Sequence, residues 1–367
     1  MSRFDRKLFR PGGAVKPEER EWPSVRGAIN EAMREEMRRD PTVFQMGEDI
    51  AGAPPFGVTT GLAAEFGLER VRDTPCSEVA VVGAAVGAAL GGMRPIVEFQ
   101  FGDFLSVAID QLTHQAALLR YLTGGQVRVP LVIRLPCGGG QGTGAQHAQS
   151  LYSWFAHAPG LKVALPATSL DAKGLMKAAI RDDNPVLFFE HKALYRTRWP
   201  VPPEFRDPDH VIPFGRAAIR RAGDDVTVVA TLAMVHHALA AAEELAAEGI
   251  SVEVVDPRTL VPLDQETILG SVRKTGRLLA VDEAYLTCGI QSEIIALIAE
   301  HAFGALKGPA RRLGNPGVPV PFAPPLEDVV LPGAARITAV VRAMVGSAGT
   351  PGRRRGRHRA SPGRRRP

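Results

Sequence analysis

The chain has 367 residues, of which 45% are hydrophobic and 23% are charged. At roughly 100 to 200 residues per domain, this length predicts two domains and excludes a single small module. The apolar content is sufficient for sizeable cores and excludes a wholly disordered protein.

The formal net charge of +5 comes from one end of the chain. The last 17 residues, from Pro351, hold eight arginines and no acid, so the rest of the chain carries a net charge of −3. A segment of Pro, Gly and Arg cannot bury a core, and we predict a disordered Arg-rich tail at 347–367. Such a tail leaves open a weak contact with an anionic surface.

Cysteine usage and hydropathy indicate the compartment. The three cysteines, Cys76, Cys137 and Cys288, form no close pair, which excludes a disulfide framework and a zinc ribbon. The N-terminus lacks the apolar stretch of a secretory signal, and the longest apolar run, 79–93, is shorter than the roughly 20 residues that span a bilayer. We therefore expect a cytoplasmic protein without membrane contact.

In the first half of the chain, helical and strand-like segments alternate. After an N-terminal arm at 1–20, the predicted elements are a helix at 25–39, strands at 42–47 and 70–75, a helix at 78–91, a strand at 94–101, a long helix at 103–121, a strand at 129–136, a loop at 137–150, a strand at 161–167, a helix at 169–182 and a strand at 185–191. Parallel strands need a crossover and a helix supplies it, so we predict an α/β domain at 21–200.

A proline-rich stretch divides the chain. Five prolines lie between Trp199 and Gly215, a composition that resists both helix and central strand, and we predict a linker at 201–215. Beyond it, strand-like and helical segments alternate again over 224–303, which predicts a second α/β domain at 216–346.

Five glycines follow the predicted strand at 129–136, in the segment CGGGQGTGAQHAQS. The segment lacks the Gly-Lys-Ser/Thr ending of a phosphate-binding P-loop, and the next lysine is Lys162. We interpret it as a mobile loop that lets the backbone approach a ligand and places His147 at its far end. Taken alone, His147 fits a structural histidine equally well.

Glu78 opens the helix predicted at 78–91 and has two interpretations. It complements the helix dipole, or the neighbouring apolar run desolvates its carboxyl group and suits it to proton exchange. In the same helix, Gly83 and Gly87 indicate a close-packing surface of the kind that a subunit interface uses.

Two histidines and two acidic residues in the second half of the chain are further candidates for a metal site or a ligand-binding site. His236 and His237 are adjacent, so in a helix they diverge by about 100° and do not face one metal ion. Asp282 and Glu283 end a predicted strand, where α/β sheets bind ligands, although a solvated turn explains them equally.

Many segments occur in one order along residues 25–345, among them AINEAMREEMRRDPTVFQMGEDI, RVRDTPCSEVAVVGAAVGAALGGMRPIVEFQFGDF, PLVIRLPCGGG, AQHAQS, HAPGLKVALPAT and DPRTLVPLD. In this order the chain resembles the β subunit of the thiamine-diphosphate-dependent first component of 2-oxo acid dehydrogenase complexes, in the transketolase-like superfamily. The resemblance implies two three-layer α/β domains with mainly parallel sheets, a thiamine-binding pyrimidine domain followed by a transketolase C-terminal-like domain.

The resemblance also implies roles for single residues. Glu78 touches the aminopyrimidine ring of thiamine diphosphate, and a carboxyl group that protonates a ring nitrogen promotes formation of the cofactor's nucleophile. Phe104 packs against the same ring, and Cys76 lines the same wall. His147 faces this centre and assists acyl transfer to a lipoyl group, although Ala148 stands where a serine commonly follows the histidine.

Some members of this family bind a structural potassium ion. The positions here that match their ligands are Leu131, Ala179, Ile180, Asp182 and Asn184. An ordinary capped helix end explains the same residues.

Thiamine enzymes of this superfamily bind magnesium and the diphosphate group through a Gly-Asp-Gly segment, and none occurs in this sequence. The resemblance therefore implies that a separate α subunit holds them in an α2β2 assembly, with a lipoyl-bearing acyltransferase as the further partner. The segments FFEHKALYR and DEAYLTCG favour a branched-chain 2-oxo acid as substrate, with pyruvate and acetoin enzymes as alternatives. A nucleic-acid-binding protein that acts through the Arg tail is the distant alternative.

Overall fold

The computed structural model describes residue 9 and residues 22–346. The predicted arm, apart from Phe9, and the predicted tail lie outside the described residues. The strands are β1 (Val43–Gly47), β2 (Val71–Asp73), β3 (Arg94–Glu98), β4 (Val132–Cys137), β5 (Lys162–Ala164), β6 (Val186–His191), β7 (Ala218–Arg221), β8 (Val226–Ala230), β9 (Val252–Asp256), β10 (Thr259–Val261), β11 (Leu278–Tyr285) and β12 (Arg311–Asn315).

The α-helices connect these strands. They are α1 (Val25–Arg39), α2 (Leu62–Phe66), α3 (Glu78–Leu90), α4 (Leu119–Leu122), α5 (Tyr152–Ala156), α6 (Ser169–Arg181), α7 (Ala233–Ala246), α8 (Gln265–Thr275), α9 (Ile290–His301), α10 (Pro324–Val330) and α11 (Ala334–Gly346). The side chain of Ser24 caps α1 by accepting a hydrogen bond from Gly27 N.

Two mainly parallel sheets organise the chain. The first has the order β10-β5-β6-β4-β3-β1-β2, and the second has the order β12-β11-β8-β9-β7. Only β10 and β7, among the described strands, run antiparallel to their neighbours. All side chains of β4 and β6 are buried, as expected for parallel strands that are covered on both faces.

Helices cover both faces of the sheets. Buried side chains of α1, α6, α7 and α11 form one hydrophobic cluster. Those of α3, α5, α8 and α9 form a second cluster on the opposite side. Neighbouring residues of one strand, such as Val132 and Ile133, point into different clusters, so the predicted three-layer α/β architecture is confirmed.

The segment 103–121 differs from the single long helix that its sequence predicts. It winds as a 3₁₀ helix over Gly102–Ala108, as a π helix over Gln111–Ala116 and as an α-helix at 109–110 and in α4. Gly102 lies so close to β4 that a Cβ atom there would be 3.3 Å from the carbonyl oxygen of Pro136. Gly102 therefore allows the start of this segment to lie close to the sheet.

The proline-rich segment 201–215 packs on the first domain and is not a free connection. It contains a 3₁₀ helix, Pro203–Arg206, whose Phe205 is buried. The carbonyl oxygen of Phe205 accepts a hydrogen bond from Lys173, and Ile212 N donates to the carbonyl oxygen of Gly174 in α6.

One stretch of the described residues, Pro324–Gly346, is long and apolar enough to cross a membrane. In this fold it consists of two helices, α10 and α11, and α11 packs against α7 through buried residues such as Ile337 and Val341. We therefore interpret the stretch as core helices of the second domain.

Candidate active site

A cleft lies where strands β1, β2 and β3 end, at the carboxyl edge of the first sheet. It is a shallow cleft, open to solvent, with a cavity volume of about 20 Å³. Cys76, Glu78 and Phe104, the three residues predicted to contact the cofactor, all line it. The structure therefore brings them together at the edge where parallel α/β sheets bind ligands.

Glu78 is the first residue of α3 and is partly buried. The preceding Ser77 makes no side-chain capping hydrogen bond, so the helix begins at the cleft without the usual hydroxyl cap. A carboxylate here interacts favourably with the helix dipole and also reaches the cleft. The interaction with the helix dipole is therefore compatible with a place in the cleft, and the role of Glu78 in proton exchange stays a prediction.

Cys76 is exposed to the cleft beside Glu48. A hydrogen bond from its thiol to the Glu48 carboxylate raises the pKa of Cys76 above its ordinary value. The thiolate is the reactive form of cysteine, so this environment suits a residue of the cleft wall and not a nucleophile.

Beneath the cleft lies a buried charged cluster. Arg134 in β4 donates two hydrogen bonds of 2.8 Å to Glu190 in β6 and pairs with Glu98 at the end of β3. Tyr195 donates to the same Glu190 at 2.8 Å. Burial raises the pKa of Glu98, although Arg134 opposes the change. Because Glu98 also lines the cleft, this cluster fixes the cleft's floor.

His147 lies beside the cleft. The centre of its ring is 4.4 Å from that of Phe101 and 5.6 Å from that of Phe104, both in edge-to-face contact. Lys192 donates to the His147 carbonyl oxygen at 2.6 Å. Phe104 thus joins His147 to the cleft that holds Glu78, as the predicted roles require.

Other buried polar groups hold the loop around His147. Glu283, at the end of β11, accepts a hydrogen bond from Ser150 at 2.6 Å and lies 2.8 Å from His191 Nε2. Burial acts to raise the pKa of Glu283, but His191 and Ser150 outweigh it, and the pKa is lowered. Asp103 accepts from Gln149 N at 3.2 Å. The sequence singled out Glu283 without indicating these partners, and it gave no role to Asp103, because the partners are distant in the chain.

Other candidate positions have structural roles. Ala148 is buried in the hydrophobic cluster of α1 and α6. Asp282, which is buried, pairs with the Tyr152 hydroxyl, so neither it nor Glu283 belongs to a solvated turn. Among the described residues, no group of three His, Cys, Asp or Glu side chains is arranged to hold a metal ion. His236 bonds the carbonyl oxygen of Ala167 at 2.7 Å.

The predicted potassium ligands lie at the end of α6, where Arg94 already engages them. Its guanidinium group donates to the carbonyl oxygens of Ile180 and Asp182 at 3.0 Å each. The carbonyl oxygen of Leu131 accepts from Val186, and that of Ala179 accepts from Asp182 N. Asn184 donates to the Asp182 carboxylate. Arg94 therefore already bonds two of the predicted ligand oxygens, and the potassium site stays a prediction.

The side chains that line the cleft fit one part of thiamine diphosphate and not another. A carboxyl group on Glu78 and the aromatic ring of Phe104 on one cleft wall fit an aminopyrimidine ring. Glu48, Glu78 and Glu98 make the same cleft acidic, which disfavours a diphosphate group through like-charge repulsion. The cleft therefore fits the ring end of the cofactor and not its phosphates.

Comparison with protein families defines the class of fold. Residues 22–198 match the transketolase pyrimidine-binding domain, and residues 215–337 match the transketolase C-terminal domain. The chain also superposes on a split-gene transketolase, described as an inactive β4 tetramer, with a TM-score of 0.70 and 25% identity over 89% of this chain and 99% of that one. The fold is thus transketolase-like.

Curated relatives narrow the class further. The chain is 50% identical to the acetoin:2,6-dichlorophenolindophenol oxidoreductase β subunit of Cupriavidus necator, over 87% of this chain and 96% of that subunit. It is 46% identical to the 2-oxoisovalerate dehydrogenase β subunit of Bacillus subtilis, over 86% and 96%. It is also 46% identical to a mitochondrial pyruvate dehydrogenase E1 β subunit of Arabidopsis thaliana, over 87% and 88%. The chain belongs to the E1 β subunits of the 2-oxo acid dehydrogenase family.

Proposed function

We propose that this chain is the β half of a thiamine-diphosphate-dependent enzyme that oxidatively decarboxylates a 2-oxo acid and passes the acyl group to a lipoyl-bearing acyltransferase. The supporting observation is the single cleft shared by Glu78 and Phe104, with His147 against its wall. When bound, thiamine diphosphate supplies the nucleophile and the electron sink that decarboxylation requires.

In this proposal the chain's own residues bind, orient and exchange protons. Glu78 holds a proton at a nitrogen of the pyrimidine ring, and Phe104 fixes the plane of that ring. His147 exchanges a proton with the lipoyl group during acyl transfer. An α subunit holds magnesium and the diphosphate in an α2β2 assembly, which we place in the cytoplasm.

The substrate is the finer part of the proposal. The sequence favours a branched-chain 2-oxo acid, and the 46% identity to the 2-oxoisovalerate subunit supports it. The 50% identity to the acetoin subunit favours a second candidate, acetoin, which has no carboxyl group and would be cleaved without decarboxylation. Pyruvate is the third candidate. We expect substrate choice to depend also on side chains that the partner subunit contributes.

Reduction of 2,6-dichlorophenolindophenol tests the function. We would assay the chain with and without its candidate α partner, with thiamine diphosphate and magnesium, on 3-methyl-2-oxobutanoate, pyruvate and acetoin. Activity is expected only with both subunits and the cofactor, and the substrate with the highest kcat/KM identifies the branch. A folded, associated complex that is inactive on all three substrates would refute the proposal.

A matched pair of variants tests the role of Glu78. Glu78→Gln removes the proton that the carboxyl group exchanges while keeping its size, and we expect kcat to fall about 10²-fold or more. Glu69→Gln makes the same change at an exposed position of the same domain and serves as the control. Equal activity of the two variants would contradict the assigned role.

A further inference from the structure

The glycine-rich loop contains an anion cradle, and a carboxylate of the second domain occupies it. Glu327, which is buried in α10, accepts a hydrogen bond from Gly140 N at 2.6 Å through Oε1. Its Oε2 accepts from Gly142 N at 3.1 Å. Converging backbone N–H groups of this kind bind anions in many proteins, and here the anion belongs to the chain itself.

The glycines are required for this contact. Gly140 and Gly142 have φ angles of +88° and +66°, which a residue with a side chain rarely adopts. A Cβ atom on Gly139 would lie 2.6 Å from Leu331 Cδ1, and one on Gly142 would lie 3.2 Å from the carbonyl oxygen of Phe322. The loop therefore lies directly against the segment 322–331 of the second domain.

Two hydrogen bonds within the loop connect this anchored segment to His147. The His147 N–H donates to the carbonyl oxygen of Gly144 at 3.3 Å. The Thr143 hydroxyl donates to the carbonyl oxygen of His147 at 2.9 Å. Thr143 directly follows Gly142, so a shift of the cradle moves the turn that presents the His147 ring to Phe101 and Phe104.

We propose that Glu327 is a positioning residue for His147, acting by fixing the glycine-rich loop from the second domain. This inference rests on the proposed function, because it takes His147 as the group that assists acyl transfer. Glu327 bonds two backbone N–H groups of the loop and does not line the cleft, so we expect it to act on His147 through the loop. Displacement of a reacting group by about 1 Å costs up to 10²-fold in rate.

Amide hydrogen exchange tests the anchorage without any activity. In Glu327→Gln the amide NH₂ group faces one of the two backbone N–H groups, and one hydrogen bond is lost. We expect peptides that cover 138–147 to exchange about 10-fold faster, with the rest of the chain unchanged. Glu266→Gln, an exposed change in the same domain, serves as the control. If Glu327→Gln does not fold, Glu327→Asp gives a second test, because it keeps the charge but shortens the side chain. We expect its loop peptides to exchange at a rate between those of the wild type and an unanchored loop.

Activity of the complex with the α partner and cofactor tests the positioning role. We expect Glu327→Gln to lower acyl transfer to a lipoyl domain about 10-fold and to retain most dichlorophenolindophenol reduction. The double variant with His147→Gln is expected to transfer acyl groups no more slowly than His147→Gln alone, because both changes act on one group.

The outcomes separate this inference from the proposed function. Unchanged exchange at 138–147, or faster exchange with normal acyl transfer, would overturn the role of Glu327. A wild-type complex that transfers no acyl group would instead refute the proposed function, and the exchange result alone would then judge whether Glu327 anchors the loop.

Discussion

At the residue scale, His237 shows how burial sets the pH dependence of stability. Its side chain is fully buried on α7, and burial lowers its pKa to about 3. In the unfolded chain its pKa is near 6.5, so between these values the unfolded state binds more protons. The free energy of unfolding therefore decreases as the pH falls from 6.5 towards 3.

Replacement of His237 checks this effect. We expect urea unfolding to give a free energy about 3 kcal/mol lower at pH 4 than at pH 7 because of this one group. His237→Leu removes the titrating group, so the free energy of unfolding of this variant is expected to decrease by about 3 kcal/mol less between pH 7 and pH 4. An equal loss in both proteins would show that His237 does not titrate in this way.

Arg94 determines what the end of α6 binds. Because its guanidinium group already bonds the carbonyl oxygens of Ile180 and Asp182, we expect the same Tm in potassium and sodium chloride. Arg94→Ala leaves both oxygens without this donor and is expected to lower stability by about 1–3 kcal/mol in either salt. A higher Tm of the wild-type protein in potassium chloride than in sodium chloride would instead support a potassium site.

The site was only partly predictable at this scale. Glu78, Phe104 and His147 were assigned through family resemblance, and the structure places them around one cleft. Glu327 was not assigned because its partners Gly140 and Gly142 lie more than 100 residues away in the chain. An acid that bonds a distant backbone N–H group has no local sequence signature.

At the element scale, local signals predicted α1, α3 and α6 well, but they did not predict α2, α5, α10 or α11. The observed α1 has its predicted bounds, since Ser24 caps its start and Pro41 follows its end. The segment 103–121 has the same helical character, yet it changes winding twice along the sheet. Strands β7, β10 and β12 were missed because they are short or lie at an edge, where hydrophobic patterning is weak.

Helix α3 presents an outer face suited to a subunit contact. Val79 and Leu90 are 42% and 45% exposed on it, and nothing lies within 4 Å of a Cβ atom placed on Gly87. Gly87→Leu therefore fits the single chain and improves helix propensity, but it blocks close approach of another backbone.

We expect Gly87→Leu to keep or raise the Tm of the isolated chain and to weaken its association with the α partner or a second copy at least 10-fold. Analytical ultracentrifugation measures the association. The matched control is Gly270→Leu, because this glycine of α8 also has open space around it. Undiminished association of the first variant would exclude this face as an interface.

At the scale of the whole molecule, charges bind the two halves together. Asp171 of α6 is fully buried and pairs with Arg220 of β7 and with Arg258, which follows β9. Arg220 also pairs with Asp256 at 2.7 Å. A composition-based boundary at 201–215 does not reveal this coupling, because its members are far apart in the sequence.

Asp171→Asn is expected to cost about 3–5 kcal/mol, because it leaves buried guanidinium groups with too few carboxylates. In calorimetry we expect one cooperative transition for the wild-type chain and two separated transitions for the variant. Asp224→Asn, an exposed change in the second domain, should match the wild type. A single transition in both variants would show that other contacts couple the halves.

The position of strand β10 in the chain affects when the first sheet can be completed during synthesis. It completes the first sheet by pairing with β5, yet the ribosome makes it about 95 residues later. At about 5–20 residues per second, the edge of β5 waits for roughly 5 to 20 seconds without its partner. An open strand edge recruits other chains, so a nascent polypeptide that stalls before residue 259 is the form most exposed to aggregation.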